Sequence, residues 1–185
     1  MKPKLFIVTG SPFKFGDLAF QLKDYFDCEQ KVWDFPEIQG DPNEILEHKA
    51  KKAFEIFQHP VLVDDVSTHL GDLNGFPGPY FKDFLKCFTP MEMGIKFAGS
   101  RIKAVCHLGL CRGADDLVIA EGEFNGTIVA PTHNNHQKRD FELFVKLDGM
   151  DKVMLELSPE ERNKVSHRGH AMRNLIEILK KEKLN

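Results

Sequence analysis

The chain has 185 residues, 42% of them hydrophobic, and a formal net charge of −3 at pH 7. This length predicts a single domain spanning 1–185 with a sizeable core. The slight negative charge argues against bulk nucleic-acid binding, and no apolar run approaches the ~20 residues of a membrane span. The first residues carry too short an apolar run for a signal peptide. We therefore expect a cytoplasmic protein that binds neither nucleic acid nor membrane.

The N-terminal residues predict a strand, a tight turn and a helix. Residues 5–8 are an apolar run, residues 9–14 (TGSPFK) form the turn, and apolar side chains recur at helical spacing from 15 to 26. Gly10 allows close backbone approach, while Thr9, Ser11 and Lys14 add donors and a cation at a helix N-terminus. Two interpretations are open: a phosphate-binding loop, or an ordinary capped helix.

The next stretch predicts a second strand at 31–34 (KVWD), a proline-containing loop at 35–42 and a helix at 44–57. Either Asp41 or Asn43 can cap that helix; Asp41 fits at least as well because Pro42 then takes the first helical position. Locally, Glu37 is an ordinary loop acid and Lys49 an ordinary solvated lysine.

The central stretch, 60–85, predicts a buried strand that stops on two acids. Val61, Leu62 and Val63 are apolar, and Asp64 and Asp65 follow at once. Open α/β sheets bind ligands at the carboxyl ends of their strands. Adjacent carboxylates repel, which a divalent cation or a shared proton relieves. The alternative is a solvated strand end, where Asp is common.

The following residues predict a Gly/Pro turn at 75–79, a helix over 79–88 that carries Lys82, and a second short helix over 90–97. Residues 101–110 and 116–124 predict a β-hairpin, and 127–130 a further strand. The polar residues 133–139 predict a loop.

The C-terminal part predicts two capped helices. Ser158 and Glu161 have capping-box spacing, and Ser166 is the natural cap of the last helix. His167 and Arg168 then fall in its first turn, where positive charge opposes the helix dipole. This placement is typical of a site that holds an anion.

Taken together, six ordered stretches resemble the inosine triphosphate pyrophosphatase family, and they span nearly the whole chain. They are 9–14 (TGSPFK), 36–40 (PEIQG), 44–49 (EILEHK), 60–65 (PVLVDD), 73–82 (LNGFPGPYFK) and 157–171 (LSPEERNKVSHRGHA). The last two stretches are the specific ones.

The resemblance implies an α/β fold: an elongated mixed β-sheet flanked by helices, with two lobes and a central active-site cleft. It implies an enzyme that hydrolyses non-standard purine nucleoside triphosphates (ITP, dITP, XTP) to the monophosphate and pyrophosphate. Water attacks the α-phosphorus with Mg²⁺, or alternatively Mn²⁺, as cofactor. The family likeness also implies a homodimer.

The resemblance assigns roles to individual residues. Asp65 is the favoured base, and Asp64 and Lys14 complete the catalytic set. Metal ligands are Glu37, Asp64 and Asp65, and the division of roles between the two aspartates stays open. The substrate-binding residues are Thr9, Gly10, Ser11, Lys14, Lys49, Lys82, Phe141, Glu142, Arg162, His167 and Arg168.

Two departures bear on specificity. Ser11 stands where the family usually has Asn. Residues 139–143 (RDFEL) replace the family's Phe-Gly-Trp/Tyr-Asp-Pro block, although Phe141 can stack on a base and Glu142 can accept a hydrogen bond from it. Two alternatives therefore stay open: the same chemistry on a pyrimidine or modified nucleotide, and a nucleotide-binding protein that has lost turnover.

Overall fold

The computed structural model describes residues 2–34, 36, 38–131 and 143–183. The strands of the described chain are β1 (Lys4–Val8), β2 (Asp27–Lys31), β3 (Val61–Leu70), β4 (Pro77–Gly78), β5 (Arg101–Gly113), β6 (Asp116–Ile128) and β7 (Val145–Leu147). Its α-helices are α1 (Pro12–Leu22), α2 (Pro42–Phe57), α3 (Phe81–Phe84), α4 (Pro90–Lys96), α5 (Pro159–Val165) and α6 (His167–Lys183).

The strands form one seven-stranded mixed sheet in the order β2-β1-β3-β5-β6-β7, with β4 paired to β3. Strand β1 runs parallel to both of its neighbours, whereas β4 and β7 pair antiparallel. Helices alternate with the first three strands, and β5 and β6 follow each other as predicted for a hairpin. The predicted α/β class with a mixed sheet is confirmed.

The described residues divide into two compact units. The first unit draws on 1–65, 106–122 and 171–185, and the second on 66–105 and 123–170. Each has its own apolar cluster. In the first, the clustered residues are Phe6, Val8, Leu46, Ala50, Ala53, Val61, Val63 and Cys111. In the second, they include Leu70, Phe81, Met93, Phe97, Ile102, Phe124, Ile128, Phe144 and Leu157.

Helix starts follow the local sequence. Asp41 caps α2: its side chain accepts from the backbone N–H groups of Asn43 and Glu44, and Glu44 bonds back to the Asp41 N–H. Of the two candidate caps, Asp41 is therefore the one used. Ser158 caps α5 in the same reciprocal way with Glu161, as predicted.

The second strand lies four residues earlier than the sequence predicted. Its parallel register with β1 runs from Lys4 opposite Asp27 to Val8 opposite Lys31. The predicted strand at 31–34 is therefore wrong beyond its first residue. Val32 and Trp33 lie past the last paired position and are exposed, so their β-forming side chains misled the prediction.

The prediction that the central strand stops on Asp64 and Asp65 is also wrong, because β3 continues to Leu70. Pairing with β1 ends at Val63, but Thr68 and His69 then pair with Gly78 and Pro77 of β4. The two acids thus lie inside a ten-residue strand, one and two residues beyond its last pairing with β1.

Other boundaries differ more modestly. The helix predicted at 79–88 is the short α3 followed by a 3₁₀ turn at Leu85–Cys87. The strand predicted at 127–130 is the end of β6, and β7 was missed because it has only three residues. Among the residues described, no helix is both long and apolar enough to cross a membrane.

Candidate active site

The turn after β1 has its backbone fixed by short-range hydrogen bonds. The Thr9 N–H donates to Lys31 O at 2.9 Å, and the Ser11 N–H donates to Thr9 Oγ1 at 3.2 Å. Ser11 caps α1, because its Oγ accepts from the Lys14 N–H at 3.3 Å. The capped helix is therefore present, and its cap and the Thr9 bonds fix the backbone of the turn.

Gly10 forms the exposed apex of this turn. A Cβ atom built on Gly10 would meet nothing within 4 Å, so packing inside the protein does not demand a glycine there. Its φ angle is also outside the left-handed region, where only glycine is comfortable. The absence of a side chain leaves the backbone of Gly10 open to close approach from outside.

Lys14 and Asp64 form the first ion pair of the site. Lys14 Nζ lies 2.9 Å from Asp64 Oδ2. The Asp64 side chain is only 4% exposed, whereas the Lys14 side chain is 36% exposed. A buried carboxylate is costly without a partner, and the lysine at the start of α1 supplies one. The two groups are 50 positions apart in the sequence and are brought together where α1 follows the β1–α1 turn.

Lys49 and Asp65 form a second, looser contact. Lys49 Nζ lies 3.6 Å from Asp65 Oδ1 and donates to the backbone oxygen of Asp64 at 3.4 Å. The Asp65 side chain is 15% exposed and that of Lys49 is 18% exposed. Lys49, an ordinary lysine in its local sequence, therefore lies against the paired acids.

The two acids lie on opposite faces of the sheet. Successive strand residues alternate in direction, so Asp65 shares a face with Val61 and Val63. Those valines pack with Leu46 and Ala50 of α2, the helix that carries Lys49. The adjacent Asp64 is directed to the other face, where Lys14 of α1 meets it. Each face of β3 therefore pairs one carboxylate with one lysine from its covering helix.

This pairing answers how the chain tolerates adjacent aspartates. Two ammonium groups offset the two carboxylates, so Lys14, Lys49, Asp64 and Asp65 sum to zero charge. The shared proton considered from the sequence is not needed for that balance. The carboxylate oxygens remain the kind of ligand that Mg²⁺ takes.

A three-residue metal cluster is not found within the described ranges. Glu37, the third predicted metal ligand, lies outside them, and so do Phe141 and Glu142. The fit to a hard divalent cation therefore rests on the carboxylate oxygens of Asp64 and Asp65, which suit it. Because the two side chains leave β3 on opposite faces, one of them rather than both would bind a single ion.

The other predicted substrate residues belong to the second unit. Lys82 is exposed on α3. Arg162, on α5, is half-buried and donates from Nη2 to Leu157 O at 3.1 Å. His167 is 4% exposed, and its ring meets Phe124 edge-on with centroids 5.2 Å apart. Arg168 is half-buried beside it in the first turn of α6.

A tight junction between α5 and α6 fixes these last residues. The Gly169 N–H donates to Ser166 Oγ at 3.1 Å, as predicted for a capping serine. A Cβ atom on Gly169 would lie 1.8 Å from the backbone oxygen of Asn163. Because no side chain fits in that space, Gly169 is what lets α5 approach the start of α6.

Two residues that position these loops were missed by the sequence reasoning. Gln30 of β2 donates from Nε2 to the Thr9 carbonyl oxygen at 2.9 Å. His69 of β3 contacts Gly75 O through Nδ1 at 3.0 Å and Ser67 Oγ through Nε2 at 3.2 Å. The Gln30 contact has no local sequence signal, because it joins residues 21 positions apart, whereas the His69 contacts lie within six positions and depend on how the 71–76 turn folds back.

A model of the Ham1 family matches residues 5–178 of the chain. The chain is 33% identical over 183 residues to the inosine triphosphate pyrophosphatase of Schizosaccharomyces pombe, covering 97% of this chain and 96% of that protein. It is 33% identical over 186 residues to the protein of the same name from Scheffersomyces stipitis, covering 97% and 92%. The chain therefore belongs to the Ham1 family, which confirms the resemblance found in its sequence.

Solved structures agree on the fold. A HAM1 protein from Coxiella burnetii superposes with a TM-score of 0.82 at 21% identity, covering 98% of this chain and 100% of that one. A nucleoside-triphosphatase (dITP/XTP pyrophosphatase) from Mycobacterium abscessus gives 0.67 at 20% identity, covering 94% and 98%.

Proposed function

We propose that the protein hydrolyses non-standard purine nucleoside triphosphates (ITP, dITP and XTP) to the monophosphate and pyrophosphate. Its membership of the Ham1 family supports this activity, as do relatives named inosine triphosphate pyrophosphatase that match almost its full length. The observation that carries the proposal is the pair of lysine–aspartate contacts beside the Thr9–Lys14 turn.

These residues suit attack on a phosphate chain. The backbone of the Thr9–Lys14 turn, together with the side chains of Lys14 and Lys49, would hold the triphosphate. A water oxygen forms a bond to the α-phosphorus while the bond to the bridging oxygen of the β-phosphate breaks. The leaving pyrophosphate takes the electron pair, and the proton of the water passes to a carboxylate.

We assign the proton-accepting role to Asp65. Its side chain is 15% exposed, against 4% for Asp64, and its contact with lysine is the longer one, 3.6 Å against 2.9 Å. A carboxylate that is reachable by water and loosely held is the better proton acceptor. Asp64, buried and closely paired, would instead fix Lys14 and share in holding the metal.

We propose Mg²⁺ as the cofactor, with Mn²⁺ as a substitute, held by Asp64 and Glu37; Asp65, the other ligand expected from the resemblance, leaves β3 on the opposite face and keeps the proton-accepting role. The zero net charge of the two lysine–aspartate pairs supports this, since a triphosphate needs further positive charge. When bound, the metal ion offsets phosphate charge and acidifies a coordinated water.

For the base, we propose that His167 and Arg168 contact the 6-oxo group of the purine and that Arg162 lies near the nucleotide. Donors aimed at an oxygen would be left unpaired by the 6-amino group of adenine, which would discriminate against ATP. The altered segment 139–143, with Phe141 and Glu142, supports a second candidate: the same hydrolysis on a pyrimidine or modified nucleotide.

The test is pyrophosphate release in Mg²⁺ from ITP, XTP, dITP, GTP, ATP, dUTP and dCTP, measured side by side. We expect ITP, XTP and dITP to have the highest kcat/KM. A higher kcat/KM for dUTP or dCTP would favour the second candidate. Release from none of the seven would overturn the proposed hydrolysis and leave a nucleotide-binding protein.

A variant pair tests the assignment of the base. Asp65→Asn should lower kcat by at least about 100-fold, since the amide cannot accept the proton. Asp115→Asn, on the exposed β5–β6 turn, is the matched control and should keep full activity. Full pyrophosphate release by Asp65→Asn would rule out this mechanism.

We also propose a cytoplasmic homodimer, which rests on the family likeness alone. Light scattering of the purified protein would give its mass, to be compared with the 21.1 kDa of one chain. A mass of one chain at micromolar concentration would contradict the dimer.

A further inference from the structure

Two consecutive residues of β2 bind the two backbone polar groups of Thr9, its N–H and its carbonyl oxygen. Its N–H donates to Lys31 O at 2.9 Å, and its carbonyl oxygen accepts from Gln30 Nε2, also at 2.9 Å. A carbonyl oxygen can only accept, so the amide nitrogen of Gln30 is the group that faces it. The Gln30 side chain thus ties Thr9 to β2, one residue after β1 ends at Val8.

The Gln30 bond also sets the direction of the next N–H group. The Thr9–Gly10 peptide is trans, and a trans peptide directs its C=O and N–H to opposite sides. With the carbonyl turned toward Gln30 on β2, the Gly10 N–H is directed away from β2. The N–H groups of Thr9, Ser11 and Lys14 already bond within the protein, so among these four residues the exposed Gly10 is the one whose N–H is available to a ligand.

Glycine makes that orientation easy to lose. Rotating this peptide by half a turn moves the φ angle of Gly10 toward positive values, which glycine tolerates without steric cost. Gly10 is exposed, and a Cβ atom built on it would meet nothing within 4 Å, so the space beside this residue is open. The rotated peptide would present a carbonyl oxygen, which repels an anion, where the N–H now lies.

We propose that Gln30 is a positioning residue for triphosphate binding: it locks the Thr9–Gly10 peptide with its N–H directed outward to the phosphate chain. The inference rests on the proposed function for the phosphate contact, although the lock itself is a property of the chain. Gln30 acts through the Thr9–Gly10 peptide, with no substrate contact of its own.

The primary variant is Gln30→Met, which keeps side-chain length but removes the donor. We expect KM for ITP to rise about 10- to 100-fold, the range for one hydrogen bond to a charged group. The change in kcat should be smaller, because the bond to the phosphate is made in the ground state and transition state alike.

Gln21→Leu is the matched control, because it removes another glutamine bond to a carbonyl oxygen, that of Asp17, within α1. Its KM should equal that of the wild type.

A nuclear magnetic resonance readout separates positioning from stability. In labelled protein without nucleotide, Gln30→Met should shift the Thr9 carbonyl ¹³C and Gly10 amide ¹⁵N resonances, whereas Gln21→Leu should leave both unchanged. Adding inorganic triphosphate with Mg²⁺ should move the wild-type Gly10 amide resonance strongly and that of Gln30→Met much less. Urea unfolding confirms that both variants are folded.

Each outcome decides the matter. Unchanged Thr9 and Gly10 resonances in Gln30→Met would overturn the lock. Changed resonances with an unchanged KM, or an unchanged response to triphosphate, would overturn its role in phosphate binding. Failure of the wild type to hydrolyse any nucleotide would overturn the proposed function instead, and the nucleotide-free resonances would still test the lock.

Discussion

Lys14 Nζ lies 2.9 Å from Asp64 Oδ2, and this contact joins the first turn of α1 to the middle of β3. The lysine side chain is partly exposed while the carboxylate is almost fully buried. The pair therefore has two consequences that can be separated by experiment: it makes a buried charge tolerable, and it places a cation beside the phosphate-binding turn.

Lys14→Met should cost both stability and activity. Losing one partner of a fully buried pair costs about 3–5 kcal/mol; since Lys14 is a third exposed, we expect about 1–3 kcal/mol. Urea unfolding at pH 7 measures this loss, and pyrophosphate release from ITP measures the loss of activity.

The double variant Lys14→Met/Asp64→Asn provides the control for this prediction. Removing the stranded charge should recover a large part of the lost stability, while the activity stays low because a substrate contact is still missing. If Lys14→Met unfolds at the same urea concentration as the wild type, the contact does not stabilise the fold.

The parts of the fold that the sequence predicted are those set by local chemistry. The turn at 9–14, the cap at Asp41 and the serine caps of α5 and α6 each depend on residues within four positions of one another. The buried strand at 61–63 was predicted for the same reason, since its apolar residues and the two acids that follow are adjacent in the sequence. The sequence did not show that Asp64 and Asp65 lie on opposite faces of β3, each beside a lysine. That arrangement depends on where α1 and α2 pack.

The parts that were missed depend on pairing between distant segments. Strand β3 continues past Asp65 because β4 pairs with it, and β2 ends at Lys31 because β1 ends at Val8. The bond from Gln30 to the Thr9 carbonyl follows from that same register. No spacing within residues 27–34 indicates where the neighbouring strand stops, so side-chain propensity placed the strand too late.

Gly10→Ala should separate folding from ligand binding. A Cβ atom there meets nothing within 4 Å, so the variant should be as stable as the wild type or gain about 0.4–1 kcal/mol. Activity should still fall about 100-fold, because the methyl group displaces the phosphate chain from the backbone. Calorimetry and pyrophosphate release check the two expectations. A variant that loses stability and activity together would show that the glycine serves the fold.

Gly169→Ala should act in the opposite sense and damage the fold. The new Cβ atom would lie 1.8 Å from Asn163 O, so α5 or α6 must shift, at about 1–3 kcal/mol. Gly16→Ala in α1 is the matched control: its Cβ meets nothing within 4 Å and should add about 0.5–1 kcal/mol. Urea unfolding of both variants measures the contrast. Equal stability of the two would contradict the tight junction.

Glu29 should titrate far below an ordinary glutamate. Hydrogen bonds from Lys31 and then from Lys4 lower the pKa of Glu29 from 4.5 to about 2. Below pH 4.5 the unfolded chain then binds a proton that the folded chain does not yet bind, so the folded state loses stability as the pH falls. The contribution of Glu29 should be complete above pH 4.5 and lost as the pH falls to about 2. Carboxyl ¹³C titration of the folded protein measures this pKa directly.

The Lys31→Met and Lys4→Met variants identify which contact controls the titration. Each should raise the pKa of Glu29 toward 4.5, and Lys31→Met should raise it further because its hydrogen bond has the larger effect. The stability difference between the wild type and Glu29→Gln should shrink between pH 4.5 and about 2. A wild-type pKa near 4.5 would mean that the lysines, whose side chains are 46% (Lys4) and 30% (Lys31) exposed, do not hold the carboxylate in solution.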